Sequence, residues 1–515
     1  MEIIEKLIEI ITPNKLKGIN LITNLKEDSK LKKLYMGYHE KKWKNDDEAI
    51  AELYGANAKR DTFFKLKHDL YEKLMQVFPL INFTENEQLE QRRAYWECQT
   101  NFHIGNLFAF LGTNSSIAFT ILEKNLAKSI KYEFTNIVSE SASILGAYSK
   151  TIKIDKKKAA GYDAMAYNYV MLRMAEVKGR MYLSDIYSYY AMSTATKTDV
   201  PSQIKEYLDD LEKIPLQVYS QKFIYYKKML GVMYWMSQYN YRETIRECTE
   251  AIAYFEKSAF VVVANLRSFY FQLIPSYTYC GEFELAKHNM GKCLAVIQKG
   301  TFSWFKAQEA NMQLALYSER YQDAYSIYQD VIADKNYNTK SIESLRQIWT
   351  LYEAYLYVFK EMGLLSIAEG EKLHVRFQAL LNKEPVLTHD KKGYNFTMYI
   401  LHLFYILLKN DKNAQDTYEE RMDALRKYTQ RYENTDKVTR SRYMVELLEG
   451  IARNAFKTNA IRKDKTVIAF LHRLKTEDFD ITDANLDLEP VPFPRIFDFL
   501  LGIIDRVYRP SPSFR

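Results

Sequence analysis

The residues able to do chemistry are scattered along this sequence and form none of the spacings that common active sites need. It contains no HExxH, GxxxxGKS/T, GxGxxG or GxSxG motif. Its eight histidines lack metal-ligand spacing, and His402, inside an apolar stretch, is typical of a hydrogen-bonded core residue. We therefore expect no catalysis, no cofactor and no metal site. An enzyme whose site follows no common motif is one alternative.

The cysteines and the apolar segments bear on the compartment of the protein. Cys98, Cys248, Cys280 and Cys293 form no CxxC pair and no dense framework, which is typical of reduced thiols in a cytosolic protein. The longest apolar run covers about a dozen residues, whereas a bilayer-spanning helix needs about 20. The N-terminus is acidic where a signal peptide would be basic. The sequence predicts a cytoplasmic protein that does not span a membrane.

Composition and periodicity predict an all-α fold. The 515 residues include only 17 Gly and 11 Pro, which favours long helices with short connections over a turn-rich β fold. Apolar residues recur at helical steps, as at Phe63, Leu66, Leu70 and Leu74. The formal net charge of +7 is mild and does not by itself indicate nucleic-acid binding.

Three regions are predicted. Residues 1–85 form a small N-terminal helical region, in which Asn45 and Glu48 resemble a capping box and Gly55 suits the end of the same helix. Residues 86–475 form an array of antiparallel helix pairs. Residues 476–515 form an acidic, Pro-containing tail with a capping helix. A tail that docks on a partner is the alternative to the cap.

The array is predicted from a recurring set of aromatic and small residues. They are Tyr270, Leu273, Tyr277, Gly281, Phe283 and Ala286, at steps of 3, 4, 4, 2 and 3. This set resembles the tetratricopeptide repeat. A preceding copy has Leu230, Gly231, Tyr234 and Tyr241, with one extra residue in the turn, and the copies lie about 40 residues apart instead of about 34. The resemblance implies an α-solenoid that forms a right-handed superhelix.

The same resemblance implies a partner-binding surface. In this family the first helix of each pair lines the concave face, which makes a protein or peptide the expected partner and a non-catalytic scaffold or adaptor the expected function. The matching positions here are Tyr225, Met229, Met233, Met236, Phe271, Thr278 and Tyr279. Aromatic and Met side chains suit a groove for an apolar peptide or helix. Packing inside the superhelix is the alternative.

The N-terminal region supports a second hypothesis. Its helices have the outline of a helix-turn-helix. Cations lie on or just before the second helix, where phosphate contacts would need them. They are Lys59, Arg60, Lys65, Lys67 and Lys73. The alternative function is thus a signal-sensing regulator whose N-terminal helices bind nucleic acid.

Overall fold

The computed structural model describes residues 4–5, 7–8, 28–55, 60–77, 90–112, 115–192, 199–339, 343–368, 373, 391–432, 440–476 and 489–508. Over these ranges the chain contains 21 α-helices and no β-strand. The prediction of an all-helical protein is therefore confirmed. Among the described helices, none is both long and apolar enough to cross a lipid bilayer.

Contacts divide the chain into two compact units, residues Met1–Arg173 and Met174–Arg515. The division falls inside one long helix, and the region boundaries near residues 85 and 475 remain predictions. The helices of the first unit are α1 Lys30–His39, α2 Asp46–Tyr54, α3 Arg60–Val77, α4 Glu90–Leu111, α5 Ser115–Lys131 and α6 Thr135–Thr151. Helix α7, Lys156–Met192, runs across the division.

Helices α1, α2 and α3 contact one another in all three pairings. The apolar stripe predicted for α3 is its core face, since Phe63, Leu70 and Leu74 are fully buried. The predicted N-cap of α2 is also present, because the Asn45 side chain accepts a hydrogen bond from the Glu48 amide at 3.0 Å. The Glu48 carboxylate accepts from the Lys44 amide, one residue before the position that a capping box would use.

Helices α4, α5 and α6 likewise contact one another pairwise. Gly105 on α4 allows a close approach of the two helices, because a Cβ at this position would lie 2.7 Å from Leu122 on α5. The core between these helices contains Phe119, Leu122 and Val138. The pair α4–α5 is therefore a tightly packed helical hairpin.

The second unit contains α8 to α21. They are α8 Val200–Glu212, α9 Gln221–Ser237, α10 Tyr241–Glu256, α11 Val263–Tyr279, α12 Phe283–Ala295, α13 Phe302–Tyr317, α14 Tyr321–Ile332, α15 Glu343–Glu361, α16 Lys391–Lys409, α17 Ala414–Tyr432, α18 Arg440–Arg453, α19 Thr458–Ile461, α20 Lys465–Thr476 and α21 Phe493–Val507. From α8 to α18, each described helix packs against the next described helix. The first helices α9, α11 and α13 also contact one another in order.

The turns after α9, α11 and α13 have the same geometry. In each, the residue two positions after the helix has a positive φ: Tyr239 (59°), Gly281 (74°) and Glu319 (59°). The next amide then bonds to a carbonyl five residues back, at 2.9–3.0 Å, as in the backbone pattern that closes many helix ends. The predicted extra residue in the α9–α10 turn is wrong, because Tyr239 adopts the left-handed conformation that Gly281 adopts in the next turn.

The second helices of these pairs also share a pattern. Each begins with an aromatic residue at Tyr241, Phe283 or Tyr321. Three positions later each has a small side chain that is fully buried, and these residues are Thr244, Ala286 and Ala324. A small residue here lets the second helix lie close to the first, because no bulky side chain separates their backbones.

The last helix, α21, reaches far back along the chain. It contacts α16, α18, α19 and α20. The Phe499 ring also lies 6.1 Å from Tyr321 and 5.5 Å from Phe359, which belong to α14 and α15. Its apolar residues from Phe493 to Ile504 are almost all buried. Helix α21 thus packs against helices from several pairs, whereas a simple cap would cover only the last one.

Candidate functional site

The residues predicted to line a groove divide into two sets by burial. Met229, Met233 and Thr278 are buried within the second unit. They present no open surface, so they serve packing and cannot meet a partner directly. The side chains of Tyr225, Met236, Phe271 and Tyr279 are half-buried. The candidate binding surface is therefore these four residues, and we call it the α9–α11 surface.

Tyr225 contributes to the α9–α11 surface by joining α9 to α11. Its hydroxyl donates to Ser268 Oγ at 3.3 Å, and its ring packs edge-on against Phe269 at 5.8 Å. A second tyrosine, Tyr187 on α7, is close enough for its pKa to be raised by burial and by Tyr225. The hydroxyl of Tyr225 is thus held in place, as a pre-formed recognition site requires.

Tyr279 performs the same role between α11 and α13. Its hydroxyl accepts a hydrogen bond from Gln313 Nε2 at 2.7 Å. Its ring lies 5.1 Å from Tyr241 and 5.6 Å from Tyr317. Because an aromatic ring and a polar hydroxyl are presented together, such a position can hold both the apolar and the polar parts of a peptide.

A buried ion pair lies at the start of the C-terminal segment, next to Tyr317. Arg440 donates to both carboxylate oxygens of Glu489, from Nε at 3.0 Å and from Nη2 at 2.9 Å. Both side chains are almost fully buried. The Glu489 carboxylate also accepts from the Phe493 amide at 2.8 Å, at the N-terminus of α21. Tyr317 donates its hydroxyl hydrogen to the Glu489 carbonyl at 2.9 Å.

We call this arrangement of Arg440, Glu489 and Tyr317 the α21 anchor. Arg440 extends it to α20 by donating to the Leu474 carbonyl at 2.9 Å. Burial and the Glu489 charge both raise the pKa of Tyr317, so its hydroxyl stays protonated and available as a donor. The anchor is not predicted from the sequence, because Glu489 belongs to the run of acidic residues assigned to the acidic, Pro-containing tail. The signal in the sequence was a carboxylate next to the prolines that precede an amphipathic helix.

The far end of α21 is held by further polar contacts. Asp505 accepts from Thr458 Oγ1 at 2.6 Å and from Arg462 Nη2 at 3.0 Å. Arg506 donates to the Glu361 carbonyl at 2.7 Å. Helix α21 is therefore fixed at both ends as well as along its apolar face. The other acidic residues of the tail, Glu477 to Asp487, lie outside the described residues.

The cations predicted for nucleic-acid binding differ in their surroundings. Lys67 pairs with Asp46 at 2.7 Å and Arg60 with Asp47 at 2.6 Å, both on α2. Lys65 is exposed and Lys73 is half-buried. Lys59 lies outside the described residues. Two of the four described cations are thus already neutralised by acidic residues of the neighbouring helix, which leaves fewer charges for phosphate contacts.

His402 is half-buried on α16, and its surroundings disfavour a charge. Burial, and then the charge of Arg421, lower the pKa of His402 to about 4. It is therefore neutral near pH 7. No group of three or more His, Cys, Asp or Glu in the described part of the chain is arranged to hold a metal ion.

The four cysteines are all free thiols, and three of them are buried. Burial raises the pKa of Cys293 to about 12, which keeps this thiol protonated and unreactive. The fourth, Cys280, is partly exposed at the end of α11.

We compared the chain with protein families, curated proteins and solved structures. No protein-family model, no curated protein and no solved structure matches this chain.

Proposed function

We propose that this chain is a non-catalytic scaffold or adaptor that binds a protein or peptide through the α9–α11 surface. The observation that carries the proposal is the repeated turn after α9, α11 and α13, whose positive-φ residues lie 42 and 38 residues apart. A turn repeated at this interval gives successive helix pairs the same internal geometry. Equivalent first helices then fall side by side.

The proposed architecture is a solenoid of antiparallel helix pairs similar to tetratricopeptide repeats. Three features support it: the contacts that link α9, α11 and α13 in order, the fully buried small residue in each second helix, and the aromatic residue that begins it. A solenoid presents its first helices along one continuous face, and such faces bind extended or helical segments. We also propose a cytoplasmic location, and the free thiols, which are typical of a reducing compartment, support it.

Phe271 is the best position at which to test the α9–α11 surface. It is half-buried at the middle of α11, so truncation removes accessible apolar area without emptying the core. Tyr254 is a matched control, because it is a 42% exposed aromatic residue on the second helix α10. Removing one aromatic anchor typically weakens a complex by about 2 kcal/mol or more.

The experiment is capture of partners from a native extract, followed by titration of the identified partner with each variant. We expect Phe271→Ala to weaken binding at least about 10-fold, and Tyr254→Ala to leave it unchanged. Thermal unfolding followed by circular dichroism checks that both variants are folded. A partner retained equally by folded Phe271→Ala and by the native chain would show that binding occurs elsewhere.

A further inference from the structure

The hairpin α4–α5 contains a long stretch without any charged side chain. Residues 98–122 include no Lys, Arg, Asp or Glu, although these four types make up 27% of the whole chain. The stretch covers the second half of α4, the residues that follow it and the first half of α5. In a soluble protein, helices that lack charge on every side are usually covered on every side.

One face of this stretch is covered and the opposite face is not. The covered face of α4 is marked by Gly105, which lies against Leu122. The other face carries large apolar side chains in contact with solvent. They are Ile104 (39% exposed), Leu107 (47%), Phe110 (85%) and Leu111 (63%) on α4, with Ile117 (42%) at the start of α5. We call these five residues the hairpin patch.

The size and spacing of the hairpin patch are those of a helix-packing surface. Ile104, Leu107 and Leu111 are separated by steps of 3 and 4, which forms a stripe along α4. The five side chains expose on the order of 500 Å² of apolar surface, at the upper end of what a monomer normally shows. Two such patches facing each other would bury roughly 1,000 Å², the lower bound for a specific protein–protein interface.

We propose that the hairpin patch is the interface of a homodimer, in which α4 of one copy packs against α4 of a second copy. A two-fold axis places a surface against itself, so any charge near the axis meets a like charge. A surface without charge avoids that repulsion. A distinct partner would instead be selected by complementary charges, and residues 98–122 provide none. This inference does not depend on the α9–α11 surface, which belongs to the other unit.

The test is the mass of the full chain by sedimentation equilibrium, over a concentration series that reaches tens of micromolar. We expect the native chain to approach twice its 60.8 kDa mass. Phe110→Glu should raise the dissociation constant at least about 100-fold, because each dimer loses two buried rings and gains two like charges. Since Phe110 is almost fully exposed, the substitution leaves the hairpin core intact, and circular dichroism verifies this.

Phe302→Glu is the matched control, because Phe302 is 51% exposed at the start of α13 in the other unit. It should remain a dimer. A native chain that stays monomeric throughout the series would overturn the proposal, as would a Phe110→Glu variant that dimerises like the native chain. Flotation with neutral phosphatidylcholine vesicles tests the other possible occupant of the hairpin patch, which is a lipid surface. A monomer that binds them through Phe110 would assign the patch to a lipid surface and exclude the dimer.

Discussion

The α21 anchor makes the stability of the C-terminal helix depend on a single carboxylate. Glu489→Gln keeps the size of the side chain but removes its charge, so the buried guanidinium of Arg440 loses the carboxylate that accepts two of its hydrogen bonds. The two side chains are 12% and 9% exposed, so water cannot replace the lost partner. Removing one member of a buried pair costs about 3–5 kcal/mol. We therefore expect the α21 helix to open far more often in this variant.

Hydrogen exchange measured by mass spectrometry reports this opening directly, through peptides that cover Phe493–Val507. A loss of about 3–5 kcal/mol corresponds to a fall in protection of roughly 100- to 1,000-fold or more. Glu319→Gln is the matched control, because Glu319 pairs with Arg495 of the same helix but is 44% exposed. An exposed pair contributes about 1 kcal/mol or less, so its loss should change protection only slightly.

Two results would refute this reasoning. The first is a Glu489→Gln chain whose α21 amides exchange as slowly as those of the native chain, since the anchor would then contribute nothing. The second concerns the double variant Arg440→Met with Glu489→Met, which contains no unpaired buried charge and should recover part of the lost protection. If the double variant exchanged as fast as the single one, the loss could not be attributed to an uncompensated charge.

The remaining predictions concern stability. Gly281→Ala should lower the free energy of unfolding by about 1–2 kcal/mol in thermal unfolding, because φ is +74° there. Gly291→Ala, at an exposed position of α12 with open space around it, should be neutral or stabilising by up to about 1 kcal/mol. If both substitutions changed the free energy of unfolding equally, the positive φ of Gly281 would not be what makes alanine unfavourable there. Gly105→Ala should cost about 1–3 kcal/mol, because the new Cβ would lie 2.7 Å from a leucine of α5; an unchanged melting temperature would contradict that packing. Burial and Arg421 lower the pKa of His402 from 6.5 to about 4, so between these values the unfolded chain takes up a proton that the folded chain does not. Stability should fall as pH drops from 6.5 to 4, and His402→Leu should reduce this loss in urea unfolding at a series of pH values. If the His402→Leu variant lost as much stability over this pH range as the native chain, the pH dependence would not come from His402.

Local features of the fold followed from the sequence, because their causes lie within a few residues. The stripe of Phe63, Leu70 and Leu74 identifies the core face of α3, since the helical period alone determines which side chains share a side. The Asn45 cap is equally local, because it satisfies an amide three residues away. Both predictions needed no knowledge of the rest of the molecule.

Features that depend on distant segments did not follow. Tyr239 is a local exception: the turn after α9 closes without glycine or an extra residue, because Tyr239 adopts a positive φ and the Asn240 amide donates to the Trp235 carbonyl. The pairing of Arg440 with Glu489 joins residues 49 positions apart, which no spacing rule indicates. Met229 and Met233 lie on the same face of α9 as Tyr225 and Met236. Helical periodicity alone therefore does not distinguish the two buried methionines from the two accessible residues. Whether a residue of α9 is buried depends on the neighbouring helix pair, not on α9 alone.

Helix α21 packs back against α14 and α15, and these contacts between distant segments affect the cooperativity of unfolding. In an array where each helix meets only its neighbours, unfolding can begin at one end and proceed pair by pair. Here Tyr317 meets Glu489 across 172 positions, and Arg495 meets Glu319 across 176. Such contacts cannot form until the helices between them are in place, which slows folding and penalises partially unfolded states. Helices α13 to α21 should therefore melt in one transition.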